Sequence, residues 1–236
     1  VGLPIPGVGR LPLVPAAVLF DLLVGDARIR PDADAGYQAC AAAVSTPPAE
    51  GNVGAGAGAV VGKLFGLQRA MRGGIGTASV RVGAVTVGAI VACNALGDVV
   101  DPDSGRVIAG ARSADGLQLL DARRALLRGE SPHTLRSGSN TTIGVVATDA
   151  TLTKVQARRL AMSAHDGLAR TINPVPTMSD GDTLFALGTG HYPNPGMLLL
   201  ATMAAEATAR ATGRAVLAAH PLDGRGLRLP CARDFF

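Results

Sequence analysis

A threonine pair stands where a polar run of the chain meets an apolar one. Residues 136–140 read Arg-Ser-Gly-Ser-Asn, and Thr141 and Thr142 separate them from the strand-like run 143–147. The Thr141 hydroxyl can attack the carbonyl of Asn140 and, through an N→O acyl shift, leave Thr141 with a free α-amine. That amine lies beside its own hydroxyl and can serve as general base, a recognised way to activate a threonine nucleophile. The alternative is a plain loop entering a buried strand, because strands favour Thr and Val.

An acidic motif, Asp180-Gly181-Asp182, stands immediately before a second predicted strand, 183–187. Residues two apart on an extended segment face the same side, so these carboxylates can act together. Such a pair can hold the Thr141 amine in place, and the two groups shift each other's pKa. An ordinary Asp-Gly turn explains the same residues without any chemistry.

Two further polar residues interrupt apolar surroundings. Lys63 ends the glycine-rich run 51–62, and it is one of two lysines, with Lys154. A phosphate-binding loop of the G-x-x-x-x-G-K-[S/T] type is excluded because Leu64 follows Lys63. Asn94 ends an apolar run, where a side-chain amide is costly unless it is paired. It can belong to a site or simply cap a turn at the end of a strand.

These motifs, taken in order, resemble those of a known family. Gly51–Lys63, Cys93–Asp98, Asn140–Ala150 and Asp180–Ala186 are similar to segments of the L-aminopeptidase/D-esterase family of N-terminal-nucleophile hydrolases, which includes the 6-aminohexanoate-oligomer hydrolases. The resemblance implies an α/β fold, a four-layer α-β-β-α sandwich with the nucleophile on an inner strand. It also implies a segment that precedes Val1.

The resemblance assigns roles to the residues above. Thr141 is the expected nucleophile, Asn140–Thr141 the autocleavage bond, and Asp180 and Asp182 the acidic pair. Lys63 is expected near the nucleophile, where its charge favours the neutral Thr141 amine. Asn94 is assigned as an oxyanion donor, a role typically worth about 3–4 kcal/mol in the transition state. Phe20 is expected to lie in the substrate pocket.

Phe20 departs from the family pattern. It occupies the place where the 6-aminohexanoate-oligomer hydrolases carry a tyrosine, and a phenyl ring cannot donate a hydrogen bond. The substrate specificity of those enzymes therefore cannot be assumed for this chain. The predicted function is a self-processing threonine hydrolase that cleaves small peptides or amino-acid amides. The alternatives are a 6-aminohexanoate-oligomer amidohydrolase and an uncleaved, inactive binding or assembly module.

Length fits one large domain or two small ones, and the resemblance implies a single hydrolase domain over residues 1–236, processed into 1–140 and 141–236. The chain has 236 residues, 47% of them hydrophobic and 17% charged, which is typical of a folded globular protein. By resemblance the processed chains form a homo-oligomer, a tetramer of heterodimers. Abundant Gly and Ala with 3% aromatics predict close packing of small side chains.

Several partner classes find no support in the sequence. The arginines are scattered, the net charge is +4 and no basic tract interleaves with aromatics, which argues against nucleic acid. No apolar run is long enough to predict a membrane span. Three widely spaced cysteines and no visible signal peptide predict a cytoplasmic protein with reduced thiols. The motifs require no cofactor, and the four histidines fit no triad or metal spacing.

The hydrophobic patterns predict the main elements. Strands are expected at 18–20, 78–82, 84–93, 143–148 and 183–187, and an acid-rich turn at 101–105 joins two short strands. The acids of this region, Asp98, Asp101 and Asp103, lack the spacing of a calcium loop. Helices are expected at 37–44, 121–128, 153–171 and 195–212.

Overall fold

The computed structural model describes residues 2–133, 139–224 and 226–236. The polar run 136–140 therefore lies partly outside the described residues. The helices are α1 (Ala33–Ala41), α2 (Ala122–Leu127), α3 (Lys154–Thr171) and α4 (Met197–Leu217). The strands are β1 (Leu3–Ile5), β2 (Gly9–Leu11), β3 (Val60–Val61), β4 (Met71–Arg72), β5 (Gly74–Val82), β6 (Val85–Cys93), β7 (Asp98–Val100), β8 (Val107–Ala109), β9 (Ile143–Ala150), β10 (Ile172–Asn173), β11 (Thr183–Tyr192), β12 (Leu222–Gly224) and β13 (Leu227–Leu229).

A four-stranded sheet organises the molecule, in the order β11-β9-β6-β5. The hairpin β5–β6 is antiparallel, β6 pairs antiparallel with β9, and β9 pairs in parallel with β11. β9 is thus an interior strand, as expected for the strand that follows the threonine pair. Its alternate residues Gly144, Val146, Thr148 and Ala150 are buried, which is the period-two pattern of a sheet with one covered face.

Helices α3 and α4 cover that buried face and pack against each other. Small residues allow α3 and α4 to approach each other closely, and allow α4 to approach the sheet closely. A Cβ at Gly167 of α3 would collide with the backbone of Ala205, and one at Gly76 of β5 would collide with the backbone of Ala211. The alanine- and glycine-rich composition therefore produces the tight packing that the sequence predicts. α3 begins at the predicted place because Thr153 and Gln156 form a capping box.

The expected α/β class is confirmed. The described residues form a helix layer and its adjoining sheet, while the face of the sheet turned away from the helices is half exposed, at Ile90 and Leu187 for example. A smaller sheet, β10-β7-β8, contains the predicted hairpin around residues 101–105. Asp98 is buried at its start and accepts hydrogen bonds from the Ala111 and Ala122 amides.

The predicted strand at 18–20 is wrong. Residues 12–20 adopt neither helix nor strand, and the segment runs over the surface with Val14 and Val18 exposed. An apolar run alone cannot distinguish a buried strand from an extended surface segment. Helix α4, by contrast, is longer than predicted, because Gly213 is tolerated inside it and does not end it.

The described residues contain neither a candidate membrane span nor a candidate metal-binding group. None of the helices in ranges 2–133, 139–224 and 226–236 is long and apolar enough to cross a membrane. Within the same ranges, no three His, Cys, Asp or Glu side chains are grouped so that they could hold a metal ion.

Candidate active site

Thr141 lies between two neighbouring strands, two residues before β9. On one side its amide donates to the Asn94 carbonyl at 3.2 Å, which continues the β6–β9 register past the strand ends. On the other side it lies beside Gly181, since a Cβ at position 181 would be 2.9 Å from Thr141 Oγ1. The threonine is 5% exposed, so its hydroxyl is held inside the protein rather than on a surface loop.

The Asn140 carbonyl is held from the β11 side. The Gly181 amide donates to it at 2.7 Å, and Asn140 forms an isolated parallel bridge with Asp180. Asn140 is buried, and its side-chain amide donates to the Ser139 hydroxyl and the Ser179 carbonyl. The peptide group between Asn140 and Thr141 is therefore bonded at both ends, its oxygen by Gly181 and its N–H by Asn94.

The two aspartates of the acidic motif perform different local tasks. Asp182 Oδ1 accepts the Thr142 amide at 2.6 Å, so it binds the residue directly after the predicted nucleophile. Asp180 Oδ2 accepts the Thr177 amide at 2.8 Å and closes the turn before the motif. The turn interpretation thus holds for Asp180, while Asp182 reaches the junction itself.

Lys63 is positioned by a backbone that only glycine permits. Gly62 has φ of 71°, and a Cβ there would collide with the backbone of Gly110 and Ala111. The Lys63 ammonium then donates to three oxygens, the Asn94 carbonyl at 2.9 Å, Asn94 Oδ1 at 3.1 Å and the Ser139 carbonyl at 3.2 Å. Because Asn94 O also accepts the Thr141 amide, Lys63 and Thr141 bind the same oxygen atom.

Asn94 lies at the end of β6, and its side chain makes three hydrogen bonds to other described residues. Its Oδ1 accepts the Val60 amide at 3.0 Å besides Lys63, and its Nδ2 donates to the Phe20 carbonyl at 3.3 Å. One of the two Nδ2 protons is used in this way, which leaves the second for a ligand. The expected pairing of a buried amide is therefore met. Its assignment as an oxyanion donor stays a prediction.

Burial sets the charges of this cluster. Desolvation lowers the pKa of Lys63 to about 7, and the nearby carboxylates of Asp180 and Asp182 oppose this shift. Desolvation likewise raises the pKa of Asp182 to about 6, and it raises the pKa of Asp180. The Lys63 amine and the Asp182 carboxylate therefore titrate close to one another near neutral pH, which suits proton transfer. Because they interact, the apparent values belong to the cluster as a whole.

A cavity of about 230 Å³ opens onto the junction. Lys63, Asn94, Ser139 and Asn140 form its polar wall. The remaining lining residues are mainly apolar. The segment around Phe20 contributes Phe20, Asp21, Leu23 and Val24, and the chain around Lys63 contributes Gly58, Val60, Gly66 and Leu67. His133 completes the lining. Phe20 lines this cavity, and its role in binding substrate stays a prediction.

Three groups of the site were not predicted from the sequence: the Gly181 amide, Asp21 and His133. The Gly181 amide acts through its backbone, which no residue type reveals, although Gly181 lies inside the predicted motif. Asp21 and His133 line the cavity. Asp21 follows Phe20 directly, and that adjacency is a signal that could have found it. His133 is separated from every motif, and only the fold brings it to the cavity.

The solved structures establish the fold class. A β-aminopeptidase from Burkholderia aligns with a TM-score of 0.57 at 29% identity, covering 83% of this chain and 54% of that one. An L-aminopeptidase D-Ala-esterase/amidase from Ochrobactrum anthropi, described as a new variant of the Ntn-hydrolase fold, aligns with a TM-score of 0.55 at 23% identity, over 80% of this chain and 51% of that one. The chain has the Ntn-hydrolase fold, as expected.

The chain belongs to peptidase family S58, whose model matches residues 8–229. Uncharacterized aminopeptidases of Mycobacterium tuberculosis and Mycobacterium bovis are 42% identical over 247 residues, covering 97% of this chain and 68% of theirs. A 6-aminohexanoate-oligomer endohydrolase of Paenarthrobacter ureafaciens is 33% identical over 193 residues, covering 80% of this chain and 53% of its own. The chain spans about half the length of the solved structures it matches.

Proposed function

We propose that this chain is a self-processing N-terminal threonine hydrolase that cleaves amide bonds of small peptides or amino-acid amides. The observation that carries the proposal is the arrangement of the Asn140–Thr141 peptide group. It is buried and hydrogen-bonded at both ends, and the hydroxyl of Thr141 lies inside the same site. Membership of a peptidase family and relatives named aminopeptidases support the same reading.

Processing needs no outside protease in this scheme. The Thr141 oxygen bonds to the Asn140 carbonyl carbon, the C–N bond breaks, and the hydroxyl proton passes to the Thr141 nitrogen. Water then hydrolyses the ester, which leaves a carboxylate on Asn140 and a free amine and hydroxyl on Thr141. The products are chains 1–140 and 141–236.

The released amine then activates the hydroxyl against substrate. In its neutral form it takes the hydroxyl proton as Thr141 attacks the substrate carbonyl, and it passes that proton to the leaving amine. Water releases the acyl group from Thr141 in the second half of the cycle. In this scheme Asp182 orients the new N-terminus, Lys63 disfavours its protonated form, and the Asn94 side-chain amide is assigned as the donor to the developing oxyanion.

The cavity favours small substrates. Its volume of about 230 Å³ is below the range of about 300–1,000 Å³ usual for small-molecule sites. A second candidate substrate is a linear 6-aminohexanoate oligomer, favoured by the 33% identical endohydrolase. Phe20 weighs against it, because the phenyl ring supplies no hydrogen bond to an oligomer amide.

The direct test is the covalent state of the purified protein. We expect two bands on a denaturing gel, the smaller with threonine as its first residue and a mass equal to 141–236. Thr141→Ala should run as one intact chain. An alanine variant that still splits at the same bond would sink the proposal, and an intact parent chain would favour the uncleaved binding module.

A further inference from the structure

We infer that the Gly181 backbone amide is the oxyanion donor of the self-cleavage reaction. This inference rests on the proposed function and adds a group to it. The Gly181 N–H donates to the Asn140 carbonyl oxygen at 2.7 Å. That oxygen is the one that gains negative charge when Thr141 Oγ1 attacks the carbonyl carbon.

The geometry matches what such a donor requires. Oxyanion donors lie about 2.7–3.1 Å from the oxygen they stabilise, inside a site that excludes water. Asn140 is 1% exposed and Thr141 is 5% exposed, so the scissile peptide group is buried. Gly181 itself is exposed, and its N–H points to the buried Asn140 oxygen. The donor belongs to a strand pair and not to a side chain, so it needs no reorganisation during the reaction.

The identity of residue 181 fits the same role. Its φ is not in the left-handed region, so the backbone conformation does not demand glycine. The space does, because a Cβ would lie 2.9 Å from Thr141 Oγ1. Glycine is therefore the residue that brings the amide to the carbonyl while leaving the attacking oxygen in place.

The acidic motif then has three separate functions in three consecutive residues. Asp180 closes the preceding turn on Thr177, Gly181 binds the Asn140 oxygen, and Asp182 binds the Thr142 amide. In the tetrahedral intermediate the new bond joins Thr141 Oγ1 to the Asn140 carbon, and the carbonyl electron pair moves to the oxygen facing Gly181. Collapse of the intermediate breaks the C–N bond and returns that pair to the carbonyl.

An amide-to-ester replacement isolates the donor. Incorporating glycolic acid at position 181 substitutes an ester oxygen for the N–H and preserves the shape of the chain. The matched control is the same replacement at Thr183, with its α-hydroxy acid analogue. The Thr183 amide donates to the Thr142 carbonyl at 3.0 Å in the same ladder, so both esters lose one strand bond.

We expect the ester at 181 to slow conversion of the full chain into two fragments by about a hundredfold or more, the usual effect of losing one oxyanion donor. The ester at 183 should process at nearly the parent rate. Equal rates for parent and 181 ester, or equal slowing by both esters, would overturn the inference alone. A parent chain that never cleaves would overturn the proposed function and this inference with it.

Hydrogen exchange provides a test that does not depend on the esters folding. In the intact Thr141→Ala chain, the Gly181 amide should exchange far more slowly than an unprotected glycine, because it is bonded to a buried carbonyl. Exchange at the unprotected rate would overturn the inference.

Discussion

The junction at residues 139–142 and the amino-terminal segment at residues 2–44 are built in opposite ways. At the junction Asn140, Thr141 and Thr142 are buried, and their backbone groups are bonded to Asn94 on one side and to Gly181 and Asp182 on the other. Along the amino-terminal segment the large apolar residues lie on the surface, with Leu13 66% and Val14 82% exposed. Helix α1 buries none of its residues.

The contrast separates chemistry from substrate recognition. Thr141, Asn94 and Asp182 lie just beyond the ends of strands that share the main hydrophobic core with α3 and α4. The pocket, by contrast, takes part of its wall from the amino-terminal segment, through Phe20 and its neighbours. Changes at the junction should therefore affect the reaction itself, whereas changes before residue 20 should hardly affect the stability of the chain.

The largest expected effect is at Thr141. Thr141→Ser should still process itself and keep part of its activity, because both reactions need only a β-hydroxyl on residue 141. Thr141→Val has nearly the same shape without the hydroxyl, and it should lose processing and at least about ten-thousandfold in kcat, as expected for a nucleophile. Mass analysis of each purified variant, followed by a turnover assay, measures both outcomes. Complete processing of the valine variant would show that an external protease makes the cut.

A smaller effect is expected at Asp182. Asp182→Asn preserves shape but removes the charge proposed to orient the Thr141 amine, so kcat of fully cleaved protein should fall at least about a hundredfold. Burial raises the pKa of Asp182 to about 6, so the parent activity should increase as pH rises through that region while the carboxylate ionises. The asparagine variant should lose this step.

Steady-state hydrolysis of an amino-acid p-nitroanilide across pH 5–8 measures both effects of the Asp182 change. Asp166→Asn is the matched control, since Asp166 belongs to α3 and lines the neighbouring groove beside Asp180 and Asp182. If cleaved Asp182→Asn and Asp180→Asn both turn over like the parent, the acidic motif is only a turn.

The residues that type and spacing single out lie close together in the structure, and their catalytic roles stay predictions. The threonine pair, the lysine after the glycine run, the strand-end asparagine and the acidic motif lie together in the structure. The interior strand β9 and the capped helix α3 were predictable because periodicity and Thr153 mark them locally. Their relative positions depend on the β6–β9–β11 register, which no local pattern encodes.

The unpredicted features depend on space rather than residue type. Whether 18–20 forms a strand depends on a neighbour to pair with, and the described residues offer none there. The Gly181 amide is invisible to residue chemistry because every residue except proline carries one. Its hydrogen bond to Asn140 is seen only once the fold places Asn140 and Asp180 on adjacent, parallel segments of the chain.

The smallest effect is expected in the amino-terminal segment, and it tests the opening contrast with one chemical change at two places. Leu160→Ala in α3 removes a fully buried side chain and should cost about 2–5 kcal/mol of unfolding free energy. Leu13→Ala removes the same atoms from a side chain that is 66% exposed, and it should change that free energy by less than about 0.5 kcal/mol. Leu and Ala both favour helices, so the helical site of Leu160 adds little to the difference.

Urea unfolding of both variants in the intact Thr141→Ala chain, at one protein concentration, measures each cost. A Leu13→Ala cost as large as that of Leu160→Ala would mean that the amino-terminal segment is covered in solution, and the contrast between the two regions would then hold for the reaction but not for stability.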